Sequence, residues 1–288
     1  MTTMTIRALL PMLFASLAFC QAPSTSPKNE ARDMLSAALK DSNPDTRKEA
    51  VIAISLIGPR EPYLSDLASM LDDKDVQVRL ATIASLVDLK SSRTIEALHK
   101  ALKDDVPEVS FAAARALYGL NDPAGKEELL LVLGGQVKTS SGFLTKQKRE
   151  AMRMMHTPRT MFMFALVHGA AFAPVPGLGA GVASMQELLS DPGVSGRATT
   201  ALLLGREKDK QTLQALRDAL LDKDWSVRAA AVHSLALRND PDLQEDFVPL
   251  LEDDKQPVRL RAAAGYLRLD IVKSRPRPAR RRRTLPSK

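Results

Sequence analysis

Apolar residues in this chain return at two fixed spacings. Pairs four apart stand at Leu35 and Leu39, Leu67 and Leu71, Leu98 and Leu102, Met185 and Leu189, Leu216 and Leu220, and Phe247 and Leu251. Residues four apart share one face of an α-helix, so each pair predicts a helix with a single apolar stripe. Eight residues past the second member comes a marker position, filled by Arg47, Arg79, Ser110, Arg197, Arg228 and Arg259. Seven further on stands Ile54, Leu86, Leu117, Leu204, Leu235 or Tyr266, which predicts a second helix. The markers step by 32, 31, 87, 31 and 31 residues. A period of this length predicts stacked helix pairs, each too small to bury its own apolar face. The expected fold is all-α, an α-α superhelix of about seven helix pairs.

The polar positions are as regular as the apolar ones. Six residues before each marker is an aspartate: Asp41, Asp73, Asp104, Asp191, Asp222 and Asp253. Between two helices an aspartate accepts backbone N–H bonds in Asx-turns and N-caps. The arginine follows on the first turn of the second helix. From there it can reach the aspartate of its own or of an adjacent repeat. Arg47, Arg79, Arg197, Arg228 and Arg259 with the six aspartates are therefore read as a structural ladder. Three and six past the marker, most residues are Ala, Ser, Thr or Gly, which lets helices approach closely.

This combination of Leu-x-Asp, Val-Arg, Ala-Ala and Leu resembles the short bacterial HEAT repeats, the variety also seen in phycobilisome lyase-like proteins. The resemblance covers about residues 29 to 270 apart from the middle. It implies a HEAT-repeat solenoid whose second helices line a concave face. It does not imply one activity, because solenoids host unrelated functions.

The 87-residue step is two repeats plus 25 residues, so the fourth pair is interrupted. Leu129 and Leu133 hold the register of its first helix, and after Gly134 and Gly135 the register is lost. The inserted stretch is basic from Lys138 to Arg159, with six cations against Glu150 alone. From Met161 to Met185 it carries no formal charge. Basic then apolar fits an interfacial membrane segment, yet Gly169, Pro174, Pro176, Gly177, Gly179 and Gly181 break any long helix. Packing on the solenoid is the first reading, with membrane contact and a peptide or ligand groove as alternatives.

Before the repeats, Arg7 followed by an apolar run from Ala8 to Phe19 reads as a signal peptide over residues 1–22. Phe19 stands where a lipoprotein signal needs a small residue, so lipidation is not expected. The organisation expected is thus a signal peptide at 1–22, a flexible lead-in at 23–28, and N-terminal repeats at 29–136. An insertion at 137–180, C-terminal repeats at 181–269 and a disordered Arg/Pro-rich tail at 270–288 complete it. Export to the periplasm or cell envelope, or secretion, follows from the first segment.

Charge changes the picture once it is divided along the chain. The formal +7 falls to −1 when the eight cations from Lys273 onwards are set aside. A near-neutral body does not support a nucleic-acid partner, whereas the tail suits anionic lipid or polymer. The only cysteine is Cys20, inside the expected signal, so disulfides and thiolate chemistry are not expected in the mature chain.

Candidate chemistry is sparse. None of His99, His156, His168 and His233 is followed by glutamate, and neither HExxH nor GxxxxGK occurs. No catalytic, cofactor-binding or metal-ligating residues are assigned, and no cofactor. Trp225, in the turn where other repeats carry Val76, Val106, Val194 and Gln256, is read as packing there. What remains is a surface. Positions two, five and nine past each marker form a strip of small and apolar residues with Arg115, Arg206, His233, Arg261 and Arg268 as polar points. An apolar floor with arginine anchors suits a protein or peptide. Solvated arginines over buried alanines are the equally weighted alternative. The function expected is a non-enzymatic exported scaffold that binds protein through its concave face, the alternative being a peripheral membrane or cell-surface adaptor.

Overall fold

The computed structural model describes residues 26–89, 91–134 and 196–275. Among them there are helices and turns and no strand. Repeat one is α1 (Pro27–Leu39) and α2 (Pro44–Ser55); repeat two is α3 (Tyr63–Ser69) and α4 (Val76–Leu89). Repeat three is α5 (Ser92–Ala101) and α6 (Pro107–Gly119), and α7 (Pro123–Leu133) is the first helix of repeat four. After the undescribed residues, α8 (Gly196–Leu204) is the second helix of repeat five. Repeat six is α9 (Lys210–Asp218) and α10 (Trp225–Leu237), and repeat seven ends in α11 (Gln256–Lys273).

Local chemistry sets the boundaries. Asn43, Asp122, Asp209 and Asp224 each accept a backbone N–H at the start of α2, α7, α9 and α10. Proline occupies the first or second position of α1, α2, α6, α7 and α11, where its missing N–H costs nothing. Asn121 and Asn239 follow α6 and α10 with φ of 62° and 54°, the left-handed conformation that asparagine tolerates in closing a helix. The first half of repeat seven departs from the expected α-helix. It is two 3-10 segments, Pro241–Leu243 and Glu245–Glu252, and Pro249 inside the second lacks the N–H an α-helix would use.

The first apolar position of each described pair is the centre of the core. Leu35, Leu67, Leu98, Leu216 and Phe247 are all buried, as are Ile54, Leu86, Leu117 and Leu235 on the second helices. Gly125 brings α7 close to α6. A Cβ there would stand 2.3 Å from the Tyr118 amide nitrogen and 2.7 Å from the Ala114 carbonyl oxygen.

Stacking does not follow the order of the chain. Repeats five, six and seven stack through α8 on α10 and α10 on α11, and repeats one to four through α2 on α4, α4 on α6, and α6 on α7. The two runs meet where α11 packs against both α1 and α2. The spatial order is therefore five, six, seven, one, two, three, four. Lys28 at the start of α1 pairs with Asp270 near the end of α11 at 2.7 Å. Ser26 and Arg275 thus lie near each other, where a loop between repeats seven and one would run.

Two expected boundaries shift. The helix of α1 starts at Pro27, inside the expected lead-in. The expected tail boundary at 270 falls within α11, which continues to Lys273 because Ile271 packs against the core. The expected signal peptide, the whole insertion, the C-terminal repeats as far as residue 195, and residues 276–288 lie outside the described residues.

Candidate binding surface

The ladder residues are fixed by two sets of contacts. Arg47 sends its Nε and Nη2 to the two carboxylate oxygens of Asp73, at 2.7 and 2.8 Å, and its Nη1 to the carbonyl of Asp41 at 2.8 Å. Arg79 pairs with Asp104 at 2.8 Å and donates to the carbonyl of Asp73 at 2.7 Å. Arg228 holds Asp253 through two bonds of 2.7 Å and donates to the carbonyl of Asp222 at 2.8 Å. Arg197 pairs with Asp222. Each arginine thus binds the turn of its own repeat or the carboxylate of the next, and most do both. Meanwhile Asp41, Asp73, Asp104, Asp222 and Asp253 each accept the N–H two residues on, at 2.8 to 2.9 Å. Asp191 lies outside the described residues.

Electrostatics follows the geometry. Burial pushes the Asp73 carboxyl up, but the Arg47 guanidinium and the Asp75 N–H more than offset it, leaving it below the ordinary carboxylate range. Hydrogen bonds to Asp73 and Asp253 raise Arg47 and Arg228 against the opposing effect of burial. The ladder stops at both ends of the N-terminal run. Ser110 replaces arginine and donates to the Leu102 carbonyl at 2.9 Å. Arg259 donates to the Asp253 carbonyl at 2.6 Å, and among the described residues it reaches no carboxylate of repeat one.

The junction between repeats seven and one uses other groups. Arg261 on α11 donates to Glu49 on α2 at 3.0 Å, and the side chains are 2% and 4% exposed. Beside them the Thr46 hydroxyl donates to the Gln256 side-chain oxygen at 3.2 Å. Arg268 gives its Nη1 to the Leu56 carbonyl at 2.6 Å and its Nε to Asn239 at 2.9 Å. Burial lowers the Arg268 guanidinium below its ordinary value.

These contacts correct the expected strip of partner-binding residues. Arg261 is 1% exposed and Arg268 is half-buried, and both are committed to the junction, so they are withdrawn as points on an open surface. Glu49, Ile52, Leu56, Ala81, Ala84, Thr199, Ala230 and Ala264 of the same strip are buried as well. The stacking of second helix on second helix closes those positions. Arg115 and Arg206 are exposed and His233 is half-buried. Arg115 on α6 and Arg206 just after α8 belong to opposite ends of the stack, so the five do not form one site.

Sequence reasoning missed Glu49, although a signal was present. At two past the marker, the described repeats read Glu49, Ala81, Ala112, Thr199, Ala230 and Arg261. The two charges are opposite in sign and belong to the first and last repeats. Apolar side chains left open at the ends of the stack were also missed. Tyr118 on α6 is 47% exposed, and Leu130, Leu131 and Leu133 on α7 are exposed, Leu133 by 83%. At the other end, Leu203 and Leu204 of α8 are exposed. Among the described residues, no group of three His, Cys, Asp or Glu is placed to hold a metal ion.

No curated protein matches the chain. The family described as HEAT repeats matches residues 64–136 and 183–268, more than half of its length. With paired helices stacked on one continuous core, and that match across both runs of repeats, the chain belongs to the HEAT-repeat family.

Proposed function

We propose that this HEAT-repeat protein is an exported, non-enzymatic scaffold that holds another protein on the open part of its second-helix strip. One observation carries the reading. The strip is closed in repeats one, two and seven except at its outermost residues, whereas in repeat three its Arg115 and Gly119 are exposed, as are Tyr118 beside them and the leucines of the adjoining α7. An aromatic and an arginine over uncovered aliphatic side chains is the combination that dominates binding energy at protein interfaces. Export rests on the apolar N-terminal run alone, and a likeness to the phycobilisome lyase-like subtype rests on the short period.

The test is recovery of bound proteins from native envelope with the wild-type chain and with R115E and Tyr118→Ala. Loss of one defined partner in both variants, with unchanged melting, is expected. Identical recovery with all three chains would overturn the assignment of this surface. Cell fractionation reads out export separately.

A second reading is favoured by the uncharged stretch 161–185 behind a basic one. There the chain would be a peripheral adaptor on anionic lipid or polymer. Among the described residues no helix is long and apolar enough to cross a membrane. Co-sedimentation with anionic vesicles that persists in high salt and requires residues 160–180 would support this reading over the first.

A further inference from the structure

We propose that the chain pairs with a second copy of itself by exchanging its C-terminal repeats, so that repeat seven of each copy docks on repeat one of the other. Three observations point this way.

The first is that the junction between repeats seven and one has no covalent link of its own. The chain passes from repeat one forward to repeat four, and re-enters at repeat five at the far end of the stack. Repeats five to seven then reach repeat one by packing α11 on α1 and α2. Everything that closes this junction is therefore equally available to a second copy.

The second is its chemistry. A buried Glu49–Arg261 pair sits at its centre, with Lys28–Asp270 and the Arg268 bond to Leu56 around it. Glu49 Oε1 and Arg261 Nη2 are buried without a hydrogen-bond partner, and the Arg–Asp rung found elsewhere is absent. Removing one partner of such a pair leaves a buried charge, so the junction accepts only a surface carrying the opposite charge at this place. A second copy carries it.

The third is the route of the connection. Residues 135–195, 61 in number, join the outer end of α7 to the outer end of α8. In a single closed chain the flanking residues Gly134 and Gly196 stand at opposite ends of the described stack, roughly 60 Å apart at 8–10 Å per layer. The extended reach of the residues between them, roughly 200 Å, permits this. In an exchanged pair with two stacks side by side and antiparallel, Gly134 and Gly196 of one chain would stand at neighbouring ends. Reciprocal exchange of this kind closes with two-fold symmetry and leaves no further junction open.

Charge reversal tests the proposal. In E49R and in R261E, taken separately, the junction brings like charges together in one chain. Mixed in equal amounts, the two variants can satisfy both junctions at once, but only across two chains: Arg at 49 of one meets Glu at 261 of the other, and native Glu49 meets native Arg261. The expected result is a one-to-one pair of twice the chain mass by light scattering, absent from either variant alone. The cis double variant E49R/R261E carries a complementary junction and should match the wild type, which shows that the reversed pair is tolerated. If that double variant folds and the mixture yields no mixed pair, the junction is confined to single chains and the proposal fails. A second measurement does not depend on the folding of the single variants. In T46C/Q256C on a Cys20→Ser background, a short bismaleimide should link two chains in a proportion that rises with concentration. Only internally linked single chains at every concentration would overturn the exchange.

Discussion

A guanidinium that spans two turns is the smallest unit on which this fold depends. Arg228 meets Asp253 with two bonds of 2.7 Å, and both side chains are nearly buried. Arg228→Ala would leave that carboxylate with its own turn N–H but no counter-charge. A loss of about 2–3 kcal/mol in urea unfolding is expected, below the full cost of breaking a deeply buried pair because solvent reaches the edge of the site, where Asp254 is exposed. The paired carboxylates also set an acid limit. Asp73 is held below the ordinary range when folded, so its contribution is fully present above the unfolded value and is lost as pH falls through the folded one. A chain with Asp73→Asn should lose stability at neutral pH and show a shallower decline in acid, measured by melting from neutral pH downwards. The arginine and aspartate positions were legible in the sequence because the period repeats them. Which aspartate each arginine would reach was not, since the nearer one along the chain, six residues back, offers only its carbonyl while the carboxylate comes from the next repeat, 25 or 26 residues on. Only the stacking direction separates them.

At the scale of helices, close approach decides more than apolar content. α7 has leucines and valine in abundance yet buries little of them, and its one buried residue is Gly125. Replacement by alanine would drive a Cβ into the backbone of α6, where nothing flexible can give way. Gly125→Ala should therefore release α7, at about 1–3 kcal/mol. Hydrogen exchange should show faster amides over 123–134, with α1 and α2 unchanged. Even exchange across the whole chain would mean that the helices do not yield separately. Most helix positions were readable from the fourfold apolar spacing and the capping Asn, Asp and Pro residues. Repeat seven was misread because its Phe247 and Leu251 keep that spacing while Pro249 denies the helix its bond. A pattern of apolar faces does not register a missing donor two residues away.

For the whole molecule, stacking order is the property that local periodicity hides. Every repeat presents nearly the same faces, so the spacing alone allows repeat four to meet repeat five or repeat seven to meet repeat one. The opposite charges of Glu49 and Arg261, together with Ser110 in place of an arginine, carried that information, but only long-range contacts make it readable. The candidate binding strip suffered for the same reason. Arg261 and Arg268 look like Arg115 in a single repeat and differ only in what is stacked above them. A rearranged gene provides the check. Residues 196–275 placed before residues 26–134, joined by a short linker from Arg275 to Ser26, should fold cooperatively with the helical content of the parent's corresponding residues. Calorimetry showing two separate transitions, or none, would mean that the junction depends on residues 135–195.

Because Lys28 and Asp270 bring the start of α1 beside the end of α11, both extremities of the described chain emerge at one spot on the flank, several layers from either outer face. A tether fastened there would grip the molecule at its waist like the fulcrum of a balance. One arm would extend to either side, and cargo loaded on α6 and α7 would sit several layers from the point of attachment.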